Sequence, residues 1–240
     1  MKQQYARALV VATTLSFFGI PIAAQDAQTP EQRIAALKKS MAQSQAQLRK
    51  YEWVETTIIS HKGEEKSRKE ERCYYGADGT LQKLPVGDQP QQASQGGGGR
   101  RGRLKEHVVE KKKDEIQQYM EKAVALVKQY VPPNPKAIDT AKSAGNVAVR
   151  PGQAGRVRLE ITNYIKSGDM MAIDVDATAN RLLGVSVNTY MDSPSDAVTL
   201  AVQFATLNDG TTYTGQTTLD AKAKEMQVVI QNTGYRPMGQ

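Results

Sequence analysis

Two histidines and one cysteine, His61, His107 and Cys73, are the residues of this 240-residue chain that most often serve catalysis or metal binding. A serine or cysteine nucleophile needs a base, usually histidine, that is itself oriented by a carboxylate. His61 lies in a charged turn, His107 opens a lysine-rich segment, and the sequence contains no G-x-S-x-G, H-E-x-x-H or P-loop motif. Zinc sites are usually built from several Cys and His ligands, so we expect no metal ion and no other cofactor.

Paired carboxylates could instead perform acid–base hydrolysis of glycosides. Asp174 and Asp176 are two residues apart on the polar face of a predicted hairpin, where solvated acids are usual. Glycosidase clefts also tend to carry several aromatic residues, and aromatic residues make up 6% of this chain. We therefore predict that the protein is not an enzyme and that it has no catalytic residues.

The single cysteine leaves the chain without an intrachain disulfide. It lies in Arg72-Cys73-Tyr74-Tyr75, which is typical of a strand, and free cysteines are among the most buried residue types. We expect a packed, inert thiol. The alternative is a redox or cross-linking role for Cys73 in an oxidising compartment.

The first 24 residues predict where the protein works. Lys2 and Arg7 precede an apolar run from Ala8 to Ile20, and small residues follow as far as Ala24. This is the pattern of a secretory signal peptide, and its apolar core is too short to span a bilayer. We expect cleavage near Ala24, a soluble periplasmic or secreted protein, and no lipoprotein-type anchor, because no cysteine lies near the cut.

A basic cluster follows a glycine-rich run at residues 96–99. The cluster consists of Arg100, Arg101, Arg103 and Lys105. Such residues contact phosphates of anionic lipids or nucleic acids, or they are simply solvated. Because export makes nucleic acid an unsuitable partner, we expect contact with an anionic membrane surface at most. Residues 87–103 have too little apolar area to order themselves and are predicted to be a flexible Gly/Gln/Arg-rich loop.

The remaining pattern predicts one α+β domain over residues 25–240. Thr29-Pro30-Glu31-Gln32 indicates a helix start, and the helix extends to about Lys50. Three strands follow up to about Val86, and then come helices at Leu104–Val131 and Pro135–Ser143. Six alternating segments between Val157 and Ile230 carry no interleaved helices, which excludes a parallel sheet. We expect a strongly curved antiparallel sheet of about nine strands, a half-barrel, with the helices packed on its concave side.

This order of elements resembles the periplasmic lipoprotein-carrier (LolA/LolB-like) superfamily. The resemblance is one of topology and includes two hairpins, Asp174-Val175-Asp176 to Leu183-Gly184-Val185 and Phe204 to Gly210, but no specific motif. It implies an exported half-barrel that holds helices against its concave face. The final third also resembles uncharacterised exported bacterial proteins, which implies location and fold.

A curved sheet closed by helices can enclose an apolar cavity. Inward strand residues Val185, Val202 and Phe204 would line it, and Trp53 would stand at its mouth or else anchor the first strand to the first helix. We therefore expect a protein that binds or carries an apolar or lipid-like ligand, such as a lipid or lipoprotein acyl chain, in the cell envelope. The alternative is a non-catalytic envelope interaction or scaffold module with a fully packed interior.

Overall fold

The computed structural model describes residues 30–87 and 100–239. Within these residues the chain forms one helix, three strands, two helices and seven strands, with a short 3-10 helix at Lys222–Lys224. The helices are α1 (Pro30–Leu48), α2 (Arg100–Val127) and α3 (Pro135–Ser143). The strands are β1 (Tyr51–His61), β2 (Glu64–Tyr75), β3 (Leu81–Pro85), β4 (Val147–Pro151), β5 (Arg156–Thr162), β6 (Met170–Asp176), β7 (Arg181–Tyr190), β8 (Ala197–Thr206), β9 (Thr212–Ala221) and β10 (Met226–Pro237). The predicted signal peptide and most of the predicted loop at 87–103 lie outside the described residues.

Ten strands of the described chain form one open antiparallel sheet in the order β3-β2-β1-β10-β9-β8-β7-β6-β5-β4. This confirms the α+β class, the antiparallel half-barrel type of sheet and the two hairpins β6–β7 and β8–β9. The predicted count of about nine strands is one short, because the sequence pattern misses β4. That edge strand ends at Pro151, and its Val149 is 64% exposed, so β4 shows little of the buried alternation that marks the other strands.

The two halves of the sheet meet where β1 pairs with β10 along its length. Thr57 lies opposite Ile230, and Ile59 lies opposite Val228. Every other neighbouring pair is consecutive in sequence and needs only a short connection. At the β1–β2 turn, for example, Lys62 has a φ of 57° and is followed by a glycine with a φ of 77°, a pair of left-handed residues that suits a tight hairpin.

The main core lies between the helices and one face of β5–β9, which we call the helix-side face; the opposite face is the outer face. The buried residues of the main core are Ala123, Val127 and Tyr130 in and after α2, Ala141 of α3, and Ile161, Tyr164, Met171, Leu182, Val185, Val187, Val198, Leu200, Val202 and Leu219. Opposed residues of antiparallel strands share a face, so the ladder Val187, Leu200, Leu219 and Val228 extends the helix-side face to Ile59 of β1. Burial of each aliphatic side chain contributes about 1.5–3 kcal/mol to stability.

The observed bounds of α2, Arg100–Val127, differ from the predicted Leu104–Val131. Three basic residues that the sequence assigns to the loop, Arg100, Arg101 and Arg103, therefore lie in the first turn of α2. Arginine is a good helix former, and the glycine between them costs only about 1 kcal/mol. The α-helix ends a turn early because the next residues form tighter bonds: the Gln129 and Tyr130 N–H groups donate to carbonyls three residues back, and two consecutive prolines follow.

A buried carboxylate fastens the end of α2 to the sheet. Asp169 is 2% exposed and accepts hydrogen bonds from the backbone N–H groups of residues 164–166 at 2.6–3.0 Å. The fully buried Tyr130 donates its hydroxyl to Asp169 at 2.6 Å, and its oxygen lies 2.8 Å from the Thr189 hydroxyl of β7. Burial of a carboxylate is tolerated when its oxygens are hydrogen-bonded in this way. This network fixes the end of the sheet opposite to α1.

Candidate functional site

Five aromatic rings form a cluster at the end of the sheet where β1 and β9 begin and β2 and β10 end. This aromatic cluster consists of Tyr51 and Trp53 of β1, Tyr75 of β2, Tyr213 of β9 and Tyr235 of β10. Trp53 and Tyr235 stack with centroids 5.3 Å apart, and the other rings contact one of these two at 4.3–6.4 Å. Trp53 is 7% exposed, whereas the tyrosines are half-buried. The cluster lies outside the main core.

A bulge in β10 brings the two stacked rings together. The register of β1 against β10 shifts between Glu52 and Val54, where β10 carries one more residue than β1. Gly234 lies in this bulge with a φ of 65°, a conformation that glycine adopts without steric cost. The bulge places Tyr235 against Trp53 on the helix-side face.

Hydrogen bonds within the chain satisfy several polar atoms of the cluster. The Trp53 indole Nε1 donates to Asn232 Oδ1 at 3.0 Å, and Asn232 Nδ2 donates to the Thr214 carbonyl at 2.9 Å. The Tyr51 hydroxyl donates to Asp209 Oδ2 at 2.7 Å. With these groups satisfied, Trp53 and Tyr51 offer ring faces and edges, which suit apolar contact better than hydrogen bonding.

Charged side chains lie beside the cluster on the same face. Glu55 of β1 and Glu71 of β2 are directly opposed, and each side chain is 12% exposed. Lys83 lies 2.5 Å from Glu55 and Lys69 lies 2.6 Å from Glu71, which offsets the repulsion between the two carboxylates. Cys73, opposite Lys83, is fully buried, and burial together with the Glu55 charge raises the pKa of its thiol. The thiol therefore stays protonated at neutral pH and is not an activated nucleophile.

Helix α1 lies across the end of the sheet that carries the aromatic cluster. It contacts β1, β7 and β9, and Ser44 Oγ accepts a hydrogen bond from the Thr212 backbone N–H at 3.1 Å. Among the described side chains of α1, Ser44 alone is buried; Ile34 and Met41 are 55% and 38% exposed. A helix that buries so little is held by few interactions and opens at low cost.

Three residues predicted to line a ligand cavity belong to the main core or pack against it. Val185 and Val202 lie directly opposite each other on β7 and β8 and are 4% and 8% exposed. Phe204 is partly buried against the same core. The fourth predicted residue, Trp53, lies in the aromatic cluster instead, where its ring contacts β2 and β10.

The predicted anion-contact residues, Arg100, Arg101, Arg103 and Lys105, fall within the first two turns of α2. The structure describes the backbone of these residues but not their side chains. Their expected contact with an anionic surface stays a prediction.

Two depressions of the described surface lie on the outer face. The larger, of about 660 Å³, is lined by Arg150, Arg158, Asp174, Ser186 and Gln203, among others. Asp174 lies 3.5 Å from Arg158 within it, so this acid is ion-paired at an open surface. The smaller depression, of about 410 Å³, lies beside the Arg236 end of β10. Both are open to solvent; the smaller is mainly polar, whereas the lining of the larger also includes Val157, Leu183, Val185 and Val202.

His61 and Cys73, two of the residues considered first for catalysis or metal binding, are far apart. His61 lies opposite Glu64 at the far end of β1, eight positions from Trp53, which is opposite Cys73. At about 3.3 Å per residue, His61 and Cys73 are roughly 26 Å apart along the strand. Within residues 30–87 and 100–239, no three His, Cys, Asp or Glu side chains are grouped so that they could hold a metal ion. That part of the chain also has no helix of the length and apolar character needed to cross a membrane.

Sequence reasoning identifies Trp53 but misses the tyrosines that pack on it. The cluster depends on the pairing of β1 with β10, and these strands are far apart in sequence. One local signal was present: Gly234 interrupts an alternating strand immediately before Tyr235, and an isolated glycine in a strand often marks a bulge that redirects a side chain.

No family model and no curated protein matches the sequence. Among solved structures, the chain is similar to the crystal structure of a DUF1329 family protein from Desulfovibrio piger ATCC 29098, with 9% sequence identity and a TM-score of 0.37. The alignment covers 86% of this chain and 94% of that chain. A similarity at this distance assigns no function.

Proposed function

We propose that this protein is an exported, non-enzymatic binder or carrier of an apolar or lipid-like ligand in the cell envelope, and that the apolar part of the ligand lies against the aromatic cluster. The observation that carries the proposal is the position of the cluster. It is half-buried, it lies outside the main core, and it sits at the end of the sheet crossed by the weakly held helix α1.

The chemistry of the cluster suits an apolar chain. Its rings supply a large contact area at low entropic cost, and the Trp53 and Tyr51 donors already have partners. Burial raises the pKa of Tyr235 far above its ordinary value, so this ring carries no charge at neutral pH. An acyl chain could therefore replace water here without leaving these donors unsatisfied.

A chain of contacts links the cluster to the predicted cavity lining. Trp53 is hydrogen-bonded to Asn232, which in turn donates to the Thr214 carbonyl, and Thr214 lies directly opposite Phe204. Phe204 packs against the main core, which contains Val202. Displacement of α1 would uncover the surface between Trp53 and Phe204. The predicted signal peptide and the topological resemblance to lipoprotein carriers support the same function.

Trp53 is the only tryptophan of the chain, so its emission reports on the proposed site alone. We expect a dibrominated stearic acid to quench this emission saturably at micromolar concentration, because bromine quenches indole only at short range. Oleic acid, which lacks bromine, should compete with the brominated acid without quenching. If no acyl chain binds in this range, the carrier function is wrong and the interaction-module alternative stands.

A matched pair of variants tests the role of α1. Ser44→Ala removes the acceptor of the Thr212 N–H and should loosen α1, whereas Ser40→Ala makes the same chemical change on the same helix without touching that bond. A hydrogen bond of about 1 kcal/mol corresponds to roughly fivefold tighter acyl binding in Ser44→Ala, since less energy is needed to open the site. Equal affinities of the two variants would exclude α1 as the cover.

A further inference from the structure

Helix α1 carries an exposed stripe in addition to the residues that face the core, such as Leu37. Its members recur at intervals of three and four residues, so they share one side of the helix and continue into the turn after it. The exposed stripe consists of Ile34, Lys38, Met41, Gln45 and Arg49, and all five are exposed. It combines apolar and basic side chains and lacks any acid.

The charge around this stripe is one-sided. Residues 30–50 contain five basic residues and a single acid, Glu31. In the described part of the chain, no carboxylate forms an ion pair with Lys38, Lys39 or Arg49. Their charges are therefore available to an external anionic surface.

Another exposed apolar side chain lies beside the end of α1. The Met238 backbone N–H donates to the Lys50 carbonyl at 2.8 Å, which places Met238 next to the turn after α1. Met238 is 40% exposed. Arg236, close by on β10, is ion-paired with Glu52 and is not counted among the free basic groups. The exposed apolar surface thus extends from the helix to Met238 beside the neighbouring strand end.

We propose that the exposed stripe of α1 docks on the surface of an anionic lipid bilayer. Helices that lie in the membrane interface combine apolar side chains with a Lys/Arg-rich face, and uncompensated basic residues are complementary to anionic head groups. The exposed apolar residues are few, so the attraction is mainly electrostatic and reversible. This docking goes beyond the proposed ligand binding and does not depend on it.

Vesicle flotation of the exported protein tests the docking. We expect binding to vesicles that contain phosphatidylglycerol, loss of that binding at high salt, and no binding to pure phosphatidylcholine. Each basic residue near an anionic surface contributes about fivefold to the partition coefficient, so Lys38→Glu with Arg49→Glu should lower it by about 25-fold or more. Far-UV circular dichroism and Trp53 emission verify that the variant is folded.

The matched control reverses the charge of two exposed lysines on another helix, Lys136→Glu with Lys142→Glu on α3. The change in net charge is the same in both double variants. This control should retain at least half of the binding. Equal loss in both double variants would show that only net charge matters, and full binding by the α1 variant would exclude the stripe; either result overturns the proposal. Equal binding to both vesicle types would also overturn it. Failure of a brominated acid to quench Trp53 would contradict the ligand function but leave this proposal intact.

Discussion

Replacement of Tyr130 with phenylalanine removes one oxygen atom from the buried network at Asp169 and leaves the ring in place. In the native protein that oxygen donates to the carboxylate at 2.6 Å and lies 2.8 Å from the Thr189 hydroxyl. In the variant, Asp169 keeps its hydrogen bonds from the backbone of residues 164–166 but loses a neutral donor, and Thr189 loses a partner.

A hydrogen bond to a charged group contributes about 1.5–3 kcal/mol, so Tyr130→Phe should lower the free energy of unfolding by about 2 kcal/mol. Tyr164→Phe is the matched control, because the Tyr164 hydroxyl makes only neutral hydrogen bonds: it accepts from the Asn134 N–H at 2.7 Å and donates to the Asn134 carbonyl at 3.5 Å. Loss of this hydroxyl should cost about 1 kcal/mol, because the bond at 3.5 Å is weak. The difference in the free energy of unfolding between the two variants measures the additional stabilisation that the bond to the Asp169 carboxylate provides.

Urea unfolding followed by Trp53 emission and by far-UV circular dichroism provides the measurement. With a urea dependence of about 2 kcal/mol per molar, Tyr130→Phe should shift the midpoint by about 1 M, and the two probes should give coincident transitions. A loss below about 0.5 kcal/mol, or a loss equal to that of Tyr164→Phe, would refute the view that this network fastens α2 to the sheet.

Three further predictions concern other parts of the chain. Cys73 should react with a thiol reagent only in denaturant, since it is fully buried and its pKa is raised; prompt labelling of the native protein would contradict this. Hydrogen bonds from the Thr211 N–H and the Tyr51 hydroxyl hold the pKa of Asp209 below its ordinary value. The ionised Asp209 therefore stabilises the folded protein above about pH 4, and this contribution is lost as the pH falls through the lower pKa of the folded state. Asp209→Asn should therefore weaken the acid dependence of thermal stability below about pH 4. Deletion of Ser94 to Gly99 should leave the melting temperature nearly unchanged, because loop length costs only about 0.6 kcal/mol per doubling; a large decrease would show that this segment packs.

The hydrophobic alternation of the sequence was sufficient to predict most of the sheet. Alternation depends on burial of one face, so it is clear in β7, where Val185 and Val187 are buried, and weak in β4, where Val149 is exposed. The start of α2 was mispredicted because the helix tolerates one glycine among arginines, a pattern that local rules treat as a loop signal.

The candidate site was less predictable for a topological reason. Trp53 was identifiable as the only tryptophan, but its packing against Tyr235 requires the pairing of β1 with β10 and a one-residue bulge at Gly234. Local patterns do not specify which distant strands become neighbours. The weak attachment of α1 to the sheet was also not predictable from the sequence, because the apolar residues of α1 divide between a core-facing stripe and an exposed one.

The strand order places β3 and β4 at opposite edges of the sheet although they are consecutive strands in the chain. Nine spacings of about 4.8 Å make the sheet roughly 43 Å wide along its surface. Helix α2 belongs to the connection between these edges, and its 28 residues are about 42 Å long. The two edge strands are not paired with each other, and Ala123 and Val127 of α2 are buried in the main core on the helix-side face. The segment that joins the two edges therefore also covers the sheet.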